Sequence, residues 1–496
     1  MNKDGTGAMN MGKTWEKAGW TLAALAWANV VTVAVLYMLY PGYIDHGEPA
    51  ISAMIWKMLG GAKAYYPLES AERITNIYGP VAYLWHMWPL ALFGGSITAS
   101  KVAACLGAVL MTPALFLLAR KAGPVAGWTL AFLTGIYTIV IAFPVVIRPD
   151  AILFLLIAFA VFAVARAGDW RWKASLILGL AAGLAVNIKL HAAIYLLPVG
   201  LYHLAAGNWR HLPMMAVAAM AAAVAFFLLP TFPLMDYLAW LGPISAKENN
   251  WMLGWYWEVA LYYFPFLFLA LGRRRPLDLA EKIYLGAYGL CILVTLFPAT
   301  KVGGGSHYFL PFLPLAADLI RRLSADSPNG RQKIAVTVFA LFALAGSFQA
   351  ERRFFKKLEW AKSREVVAEI SAVLDRYKDK RVQMTVGRVD TDLGTQLSYH
   401  YYSWRNLPVF RGNPYTMDAG IMMELTKLGV PFPDEAIRRI ETCHTQVWLV
   451  PKDGEPMNLT GYYNQQVFPE AARAAFFAHH TKVSSGAFYD IWECRP

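Results

Sequence analysis

The sequence predicts a polytopic α-helical membrane protein with a small soluble α/β domain at its C-terminal end. Three observations lead to this fold class. The chain is 57% hydrophobic and only 16% charged, which is too apolar for a soluble enzyme. Apolar runs recur up to about residue 350, and several have the roughly 20 residues that a membrane-spanning helix needs. After residue 350, charged residues and short alternating patterns replace these runs.

Twelve apolar runs supply the predicted membrane helices, and we expect about 11–13 spans. The runs cover residues 18–40, 78–94, 102–119, 122–147, 151–165, 174–188, 192–202, 212–235, 259–272, 283–300, 305–317 and 334–350. Two of them, 174–188 and 192–202, are short, and run 122–147 is interrupted at Gly135 and Pro144. Because short or broken helices are tolerated where they line a water-filled cavity, the region between residues 95 and 207 predicts such a cavity.

The distribution of basic residues predicts the orientation in the membrane. The net charge of +12 comes from Lys and Arg in short connections between apolar runs, a pattern typical of cytoplasmic loops and not of a nucleic-acid surface. These connections are 167–173, 207–211, 272–282 and 321–333. The loop 41–77, the loops 231–254 and 299–308 and everything after residue 350 then lie on the opposite side. Such a topology needs an odd number of crossings, so one of the twelve runs does not cross as counted.

These boundaries divide the chain into a membrane domain, residues 1–350, and a periplasmic α/β domain, residues 351–496. The first apolar run is long and lacks a cleavage pattern, so we interpret it as an uncleaved helix in a bacterial inner membrane protein. The C-terminal segment predicts an amphipathic helix over 351–377, strands at 382–386, 445–450 and 488–492, and a helix over 469–480. Cys443 and Cys494 both lie there and could pair in an oxidising compartment.

An acidic motif follows the first predicted helix. In YPGYIDHGEPA, residues 40–50, Asp45 and Glu48 stand where the chain leaves the membrane. On a helix beginning there they would share a face. The alternative is structural, because Asp before a helix caps it and Pro49 suits a first turn. The apolar residues of 48–59 have helical spacing and predict a helix lying in the membrane interface.

Further polar residues stand at other predicted outer boundaries of the membrane. They are Arg148 and Asp150, Lys189 and His191, and Lys301 and His307, which flank a glycine triplet and are followed by Tyr308. Each pair has a plainer interpretation as a snorkelling cation or an ordinary loop charge. However, basic residues on the outside run against the positive-inside rule. The pairs therefore predict a site that faces the outer aqueous side.

Cations and carboxylates at one membrane surface indicate chemistry on a lipid-linked phosphate. Lys, Arg and His hold a phosphate at headgroup depth, whereas a carboxylate deprotonates or orients a hydroxyl nucleophile. We expect no cofactor and no metal. A divalent cation at Asp45, His46 and Glu48 is the minor alternative, since only these residues come near a ligand set.

Five motifs in order carry a family resemblance. They are Asp45 with Glu48, Tyr78-Gly79-Pro80, LFGGSITASKVAACLG (92–107), RPD (148–150) and GLAAGLAVNIKLHA (179–192). Through these motifs the chain resembles the integral-membrane glycosyltransferases of the GT-C class. The resemblance is to bacterial relatives of protein O-mannosyltransferases and of the lipid A aminoarabinose transferase, and the chain is similar to glycosyltransferase family 39. Relatives often have Lys-Pro-Pro in place of Tyr78-Gly79-Pro80, and adjacent Asp-Glu in place of Asp-His-Gly-Glu.

The resemblance implies a GT-C fold and transfer of a sugar, with inversion, from a polyprenyl phosphate to a periplasmic glycan, lipid or protein. It assigns Asp45 as general base with Glu48 as its catalytic neighbour, and Lys189 as a ligand of the donor phosphate. The other expected donor or substrate contacts are His191, Arg148, Asp150, Tyr78, Lys301, His307 and Tyr308. The transferred group would be a hexose or a pentose.

Two other function classes fit parts of the sequence. A secondary transporter or a flippase for lipid-linked sugars would also contain broken helices and buried charges. Transporters tend to show internal repeats with matching interruptions, and no such repeat is found in this chain. A polymerase or ligase that uses lipid diphosphate donors would share the membrane geometry but would release polyprenyl diphosphate.

Overall fold

The computed structural model describes residues 4–168, 170–245, 249, 257–272, 276–301, 303–324, 328–388, 402–460 and 466–495. Parts of the predicted loops lie outside these residues, among them most of 246–254 and the residues 273–275 and 325–327. Two compact units are formed. The first consists of 1–38, 104–226 and 248–357, and the second of 39–103, 227–247 and 358–496.

Helices dominate both units. In chain order they are α1 (Asp4–Leu39), α2 (Gly47–Leu59), α3 (Pro80–Phe93), α4 (Ile97–Ala119), α5 (Ala126–Ile139), α6 (Ala142–Val145), α7 (Asp150–Ala165), α8 (Arg171–Val186), α9 (Leu197–His203), α10 (Leu212–Ala225), α11 (Leu234–Ser245), α12 (Trp257–Tyr262), α13 (Phe264–Ala270), α14 (Leu279–Ala299), α15 (Leu313–Leu323), α16 (Gly330–Lys356), α17 (Trp360–Arg376), α18 (Asn406–Phe410), α19 (Ala419–Lys427), α20 (Asp434–Glu441) and α21 (Glu470–His479). Two longer 3₁₀ helices, Leu190–Leu196 and Ser306–Phe312, precede α9 and α15.

The polytopic membrane architecture predicted from the sequence is confirmed. Among the described residues, five helical segments are long and apolar enough to cross a bilayer: Gly12–Leu39, Ile97–Ala119, Leu190–Leu228, Leu279–Ala299 and Gly330–Arg376. The apolar helix Asp150–Ala165 is shorter.

In the first unit, α1 and α16 run parallel. Trp15 Nε1 donates to Thr337 Oγ1 at 3.0 Å, and Asn29 Nδ2 donates to Glu351 Oε1 at 2.5 Å. Both pairs are separated by 322 residues along the chain, and this constant offset requires that the two helices point the same way. Both helices therefore leave the membrane on the same side. This agrees with the odd number of crossings that the charge distribution requires.

The predicted breaks between residues 95 and 207 are present, with one correction. Gly135 does not interrupt its run, since it lies within α5, where an added Cβ would come within 2.9 Å of Ala343. The glycine instead allows α5 to pack closely against α16. The break comes after Ile139, where α5 ends before the short α6.

Helices α8 and α10 also approach closely because of glycines. A Cβ on Gly179 would collide with the carbonyl oxygen of Met215, and one on Gly183 would collide with that of Ala219. Small residues four positions apart are typical of tightly packed membrane helices. Beyond the end of α8, Asn187 Nδ2 donates to Ala222 O at 2.8 Å and Ala223 O at 2.9 Å. These hydrogen bonds hold the residues that follow α8 against α10.

The second unit contains the small sheet expected in the C-terminal domain. Its strands are β1 (Val382–Met384), β2 (Gly387–Arg388), β3 (Val447–Pro451), β4 (Glu455–Pro456), β5 (His480–Ser485) and β6 (Tyr489–Cys494). Four form a sheet in the order β1-β3-β6-β5, in which only β1 and β3 are parallel, and β2 pairs with β4. Strand β5 was not predicted. A disulfide joins Cys443 to Cys494, which the sequence had left open.

The chain after residue 351 differs from the prediction in one element. The single amphipathic helix expected over 351–377 is divided at residues 357–359 into the end of α16 and the separate α17. Phe355 lies on α16, whereas Val366 and Ile370 are buried residues of α17. The helix predicted over 48–59 is present as α2, and its location in the membrane interface remains a prediction.

Helix α2 packs within the second unit against the C-terminal chain. Ala53 of α2 shares a buried cluster with Ile74, Val409 and Tyr415. An isolated parallel bridge also pairs Arg73 with Met417. Residues of the predicted loop 41–77 and of the predicted domain 351–496 thus form one core.

Candidate functional site

The acidic motif forms a turn that leads into α2. Asp45 is half-buried, and its Oδ1 accepts a hydrogen bond from Gly47 N at 2.8 Å. Glu48 is fully buried, and its Oε1 accepts from Asp45 N at 3.1 Å and from Ile44 N at 3.3 Å. Both carboxylates therefore contact backbone N–H groups around the start of the helix, as first-turn acids do. The bonds of Glu48 hold the backbone that carries Asp45.

A buried lysine fixes the backbone just before the acidic motif. Lys101 of α4 is fully buried, and its Nζ donates to Tyr40 O at 2.8 Å and also to Gly42 O. Lys101 belongs to the family motif at residues 92–107, but no role was predicted for it. Its position at the edge of an apolar run was the available signal, because a lysine in such a place needs buried acceptors.

Two side chains of the C-terminal chain also hold the acidic turn. Arg405 Nη2 donates to His46 O at 2.7 Å. Asn406 Nδ2 donates to Tyr43 Oη at 2.5 Å and to Ser52 Oγ at 2.8 Å. No sequence pattern predicts these contacts, because the partners are far apart along the chain. His46 and Arg405, for example, are separated by 359 residues.

A buried ion pair orients Arg405. Its Nε lies 2.5 Å from Asp418 Oδ2, and both side chains are only 2% exposed. Tyr415 Oη donates to the same Asp418 oxygen. Burial opposes the charge on Arg405, but neighbouring Asp418 outweighs burial and raises the pKa of the guanidinium above its usual value. Arg405 is therefore a permanent cation beside the carbonyl group of His46.

The first unit contains a second polar cluster, centred on Lys189. Lys189 follows the end of α8 in extended backbone, and its Nζ lies 2.7 Å from Oδ1 of Asp150, the first residue of α7. Lys189 is 8% exposed and Asp150 1%. Within the described residues, Asp150 Oδ2 has no hydrogen-bond partner. A buried carboxylate oxygen without a donor is costly, so this oxygen is available to a ligand hydroxyl.

Tyr308 brings the histidine and the lysine of this cluster together. The His191 ring stacks on the Tyr308 ring with centroids 4.9 Å apart and an interplanar angle of 11°. Lys189 Nζ lies 4.5 Å from the centre of the same ring. Tyr195 Oη donates to Tyr308 O at 2.7 Å and fixes its backbone. The chain segment that follows α8 and the segment that precedes α15 therefore meet at this cluster.

The remaining predicted donor contacts have their own surroundings. Arg148 is half-buried and close enough to repel the Lys189 ammonium group. His307 is buried, with its ring centroid 4.8 Å from that of Tyr308. Lys301 is half-buried, and its Nζ lies 5.4 Å from the centre of the Phe297 ring. Tyr78 lies in the second unit, where its carbonyl oxygen accepts from Tyr65 Oη at 2.7 Å.

The predicted site residues thus form two groups. Asp45, Glu48 and Tyr78 belong to the second unit, and the other candidates belong to the first. Within the first unit, Lys189 contacts Asp150 and the Tyr308 ring, and the same ring contacts His191 and His307. Among the described residues there is no group of three His, Cys, Asp or Glu side chains that could hold a metal ion.

Comparisons with known proteins agree with this architecture. Residues 79–235 match the family model of dolichyl-phosphate-mannose-protein mannosyltransferases. The fold is similar to that of ArnT from Cupriavidus metallidurans in a crystal structure with undecaprenyl phosphate, with a TM-score of 0.56 and 14% sequence identity over 95% of this chain and 97% of ArnT. The chain has the GT-C fold. The apo structure of ArnT gives a TM-score of 0.54 at 12% identity, again over 95% of this chain and 97% of ArnT.

These matches confirm the resemblance to GT-C glycosyltransferases drawn from the sequence motifs. Curated protein sequences give no match. The segment that matches the family model includes Arg148, Asp150, Lys189 and His191 but begins after Asp45 and Tyr78. The matched segment thus contains part of the Lys189 cluster, whereas Tyr308, His307 and the acidic motif lie outside it.

Proposed function

We propose that the protein is a membrane glycosyltransferase that moves a sugar from a polyprenyl phosphate to an acceptor on the outer side of a bacterial inner membrane. The buried Lys189–Asp150 pair with His191 and Tyr308 carries the proposal. It places the Lys189 ammonium group within the segment that matches the mannosyltransferase family model. The related fold of ArnT, crystallised with undecaprenyl phosphate, supports the same class of donor.

Lys189 is the proposed ligand of the donor phosphate. Its ammonium group already faces one carboxylate oxygen, so the pair is poised to exchange partners when a phosphate arrives. When the sugar leaves, negative charge grows on the phosphate, and a preorganised cation stabilises it. His191 and Arg148 add donors to the same phosphate, and the unpartnered oxygen of Asp150 accepts from a sugar hydroxyl.

Asp45 is the proposed general base. The acceptor oxygen attacks the anomeric carbon while the bond from that carbon to the phosphate oxygen breaks, and the electron pair of that bond leaves with polyprenyl phosphate. The acceptor proton passes to Asp45, and the anomeric configuration inverts. The hydrogen bond from Gly47 N orients the Asp45 carboxylate. Glu48 is the catalytic neighbour that acts by positioning, because it holds the backbone N–H of Asp45.

Purified protein with a polyprenyl-phosphate sugar tests the proposal. We expect release of free polyprenyl phosphate together with glycosylated acceptor. Asp45→Asn, which is nearly isosteric, should lower turnover by about 10²–10⁴-fold, the range for a general base, while donor binding remains. Lys189→Ala should weaken donor binding first.

Each outcome separates the proposal from its alternatives. Movement of the intact donor across a bilayer without release of polyprenyl phosphate would indicate a transporter or flippase. Release of polyprenyl diphosphate would indicate a polymerase or ligase that uses diphosphate donors. Normal turnover by Asp45→Asn would end the assignment of the base, and unchanged donor affinity in Lys189→Ala would make that lysine structural.

A further inference from the structure

A cavity of about 760 Å³ with both polar and apolar walls lies within the second unit, between the loop 41–77 and the C-terminal chain. Its wall includes Trp56, Lys57, Glu72, Asn413, Arg439 and His444. The volume falls within the range of roughly 300–1,000 Å³ that is usual for small-molecule sites. None of these residues belongs to the donor cluster or to the acidic motif, so the cavity is a separate feature of the molecule.

The charged groups of the cavity are already balanced against each other. Arg439 Nη1 lies 2.8 Å from Glu72 Oε1, and Arg439 Nε lies 3.4 Å from Glu435 Oε1. Burial opposes ionisation of Glu72, but hydrogen bonds from Ser70 and Arg439 outweigh burial and lower the pKa of the carboxyl group. An anionic ligand would have to displace Glu72 from Arg439 or lie beside it. The cavity is therefore poorly suited to a free phosphate or carboxylate.

Protein contacts also hold the other polar side chains of the cavity in place. Lys57 Nζ donates to Tyr415 O at 2.8 Å. Asn413 Oδ1 accepts from Val382 N at 2.8 Å, which leaves its amide nitrogen as a donor to a ligand. Burial and the charges of Arg381 and Arg439 lower the pKa of His444, so this imidazole is neutral near pH 7. The wall thus offers fixed hydrogen-bond donors and fixed hydrogen-bond acceptors, and it carries little net charge.

One aromatic ring accompanies these polar groups. Trp56 is half-buried, and its ring packs edge to face against Phe410 with centroids 5.8 Å apart. A flat aromatic surface next to oriented hydrogen-bonding groups suits a ligand with a C–H face and many hydroxyl groups. Neutral sugars have this combination, whereas a peptide or an acyl chain does not.

We propose that this cavity binds a neutral saccharide, which is the glycan part of the acceptor. The saccharide packs on Trp56, while Glu72, Arg439 and Asn413 bond to its hydroxyl groups. This inference rests on the proposed glycosyltransferase function and gives the C-terminal chain a role, because that chain forms one wall of the cavity. It also selects glycans and glycolipids over proteins as acceptors.

Binding is tested directly with neutral disaccharides on the full-length protein in lipid nanodiscs, because sugar-headed detergents would compete. A panel of α- and β-linked disaccharides and their phosphorylated counterparts is titrated by calorimetry and saturation-transfer NMR. We expect at least one neutral member to bind, and Trp56→Ala and Glu72→Gln to raise its Kd about tenfold or more. Trp56→Phe should retain part of the affinity. The matched control is Trp209→Ala, since Trp209 is an exposed tryptophan of the first unit.

Release of polyprenyl phosphate is measured on the same preparations, so that the two proposals can fail separately. The saccharide site is overturned if no neutral disaccharide binds, if phosphorylated ones bind more tightly, or if Trp56→Ala and Glu72→Gln bind like the wild type. If donor turnover is intact, each of these results overturns only the saccharide site and is compatible with the proposed glycosyltransferase activity. Saccharide binding that depends on Trp56, without donor turnover in the wild type, supports the cavity and overturns the enzyme assignment.

Discussion

At the scale of single residues, the buried Lys189–Asp150 pair holds two opposite charges 2.7 Å apart, and loss of either partner would leave the other charge unpaired. The sequence pattern indicated that both residues matter, because charges that interrupt apolar runs need partners. It did not show that they pair with each other, since 39 residues separate them along the chain. The tertiary contact between the end of α8 and the start of α7 decides this, and no local spacing encodes it. Arg405, which supports the acidic turn from a distant segment, was missed for the same reason.

The contribution of the Lys189–Asp150 pair to the free energy of unfolding can be tested by substitution. Asp150→Asn leaves the Lys189 ammonium group buried without a counter-charge, so we expect a loss of about 3–5 kcal/mol in the free energy of unfolding. The double variant Asp150→Leu with Lys189→Met removes both charges and should recover most of that loss, yet it should no longer bind donor. Denaturant unfolding and donor titration of the three proteins measure these effects. Equal stability of Asp150→Asn and the wild type would show that the pair is not electrostatically important.

At the scale of elements, close helix packing places the cluster. Gly179 and Gly183 let α8 approach α10, and Asn187 then attaches the chain to α10 just before Lys189. The sequence contained this information as the GLAAGLAVNIK motif, which the family resemblance singled out. The structural role of this motif became clear only from the packing of α8 against α10, because glycine spacing alone does not identify the partner helix.

A pair of glycine-to-alanine variants tests this role. Gly183→Ala places a methyl group against Ala219 O and Ala222 Cβ, so we expect a destabilisation of about 1–3 kcal/mol and weaker donor binding as Lys189 shifts. Gly200→Ala on α9 is the matched control. Nothing lies within 4 Å of its added Cβ, and alanine favours the helix. Thermal unfolding and donor titration should separate the two variants, and similar behaviour of both would contradict the packing argument.

At the scale of the whole molecule, composition and charge predicted the membrane class, the outer loop and the soluble C-terminal elements. They could not predict that residues 39–103 and 358–496 fold into one unit, because that depends on contacts between distant segments. The parallel course of α1 and α16 explains how this is possible. Two helices that cross in the same direction deliver the chain that follows each of them to the same side of the membrane.

We expect that side to be the periplasm, because the disulfide between Cys443 and Cys494 would persist in an oxidising compartment. We therefore expect a membrane-impermeant maleimide to label Lys63→Cys and Lys378→Cys in intact cells, since both side chains are exposed in the second unit. Arg331→Cys, at the start of α16, should be labelled only after the cells are opened. Cys443 and Cys494 should react only after reduction and denaturation. Labelling of Arg331→Cys in intact cells, or opposite accessibility of positions 63 and 378, would contradict the parallel arrangement of α1 and α16 and the outward orientation of the site.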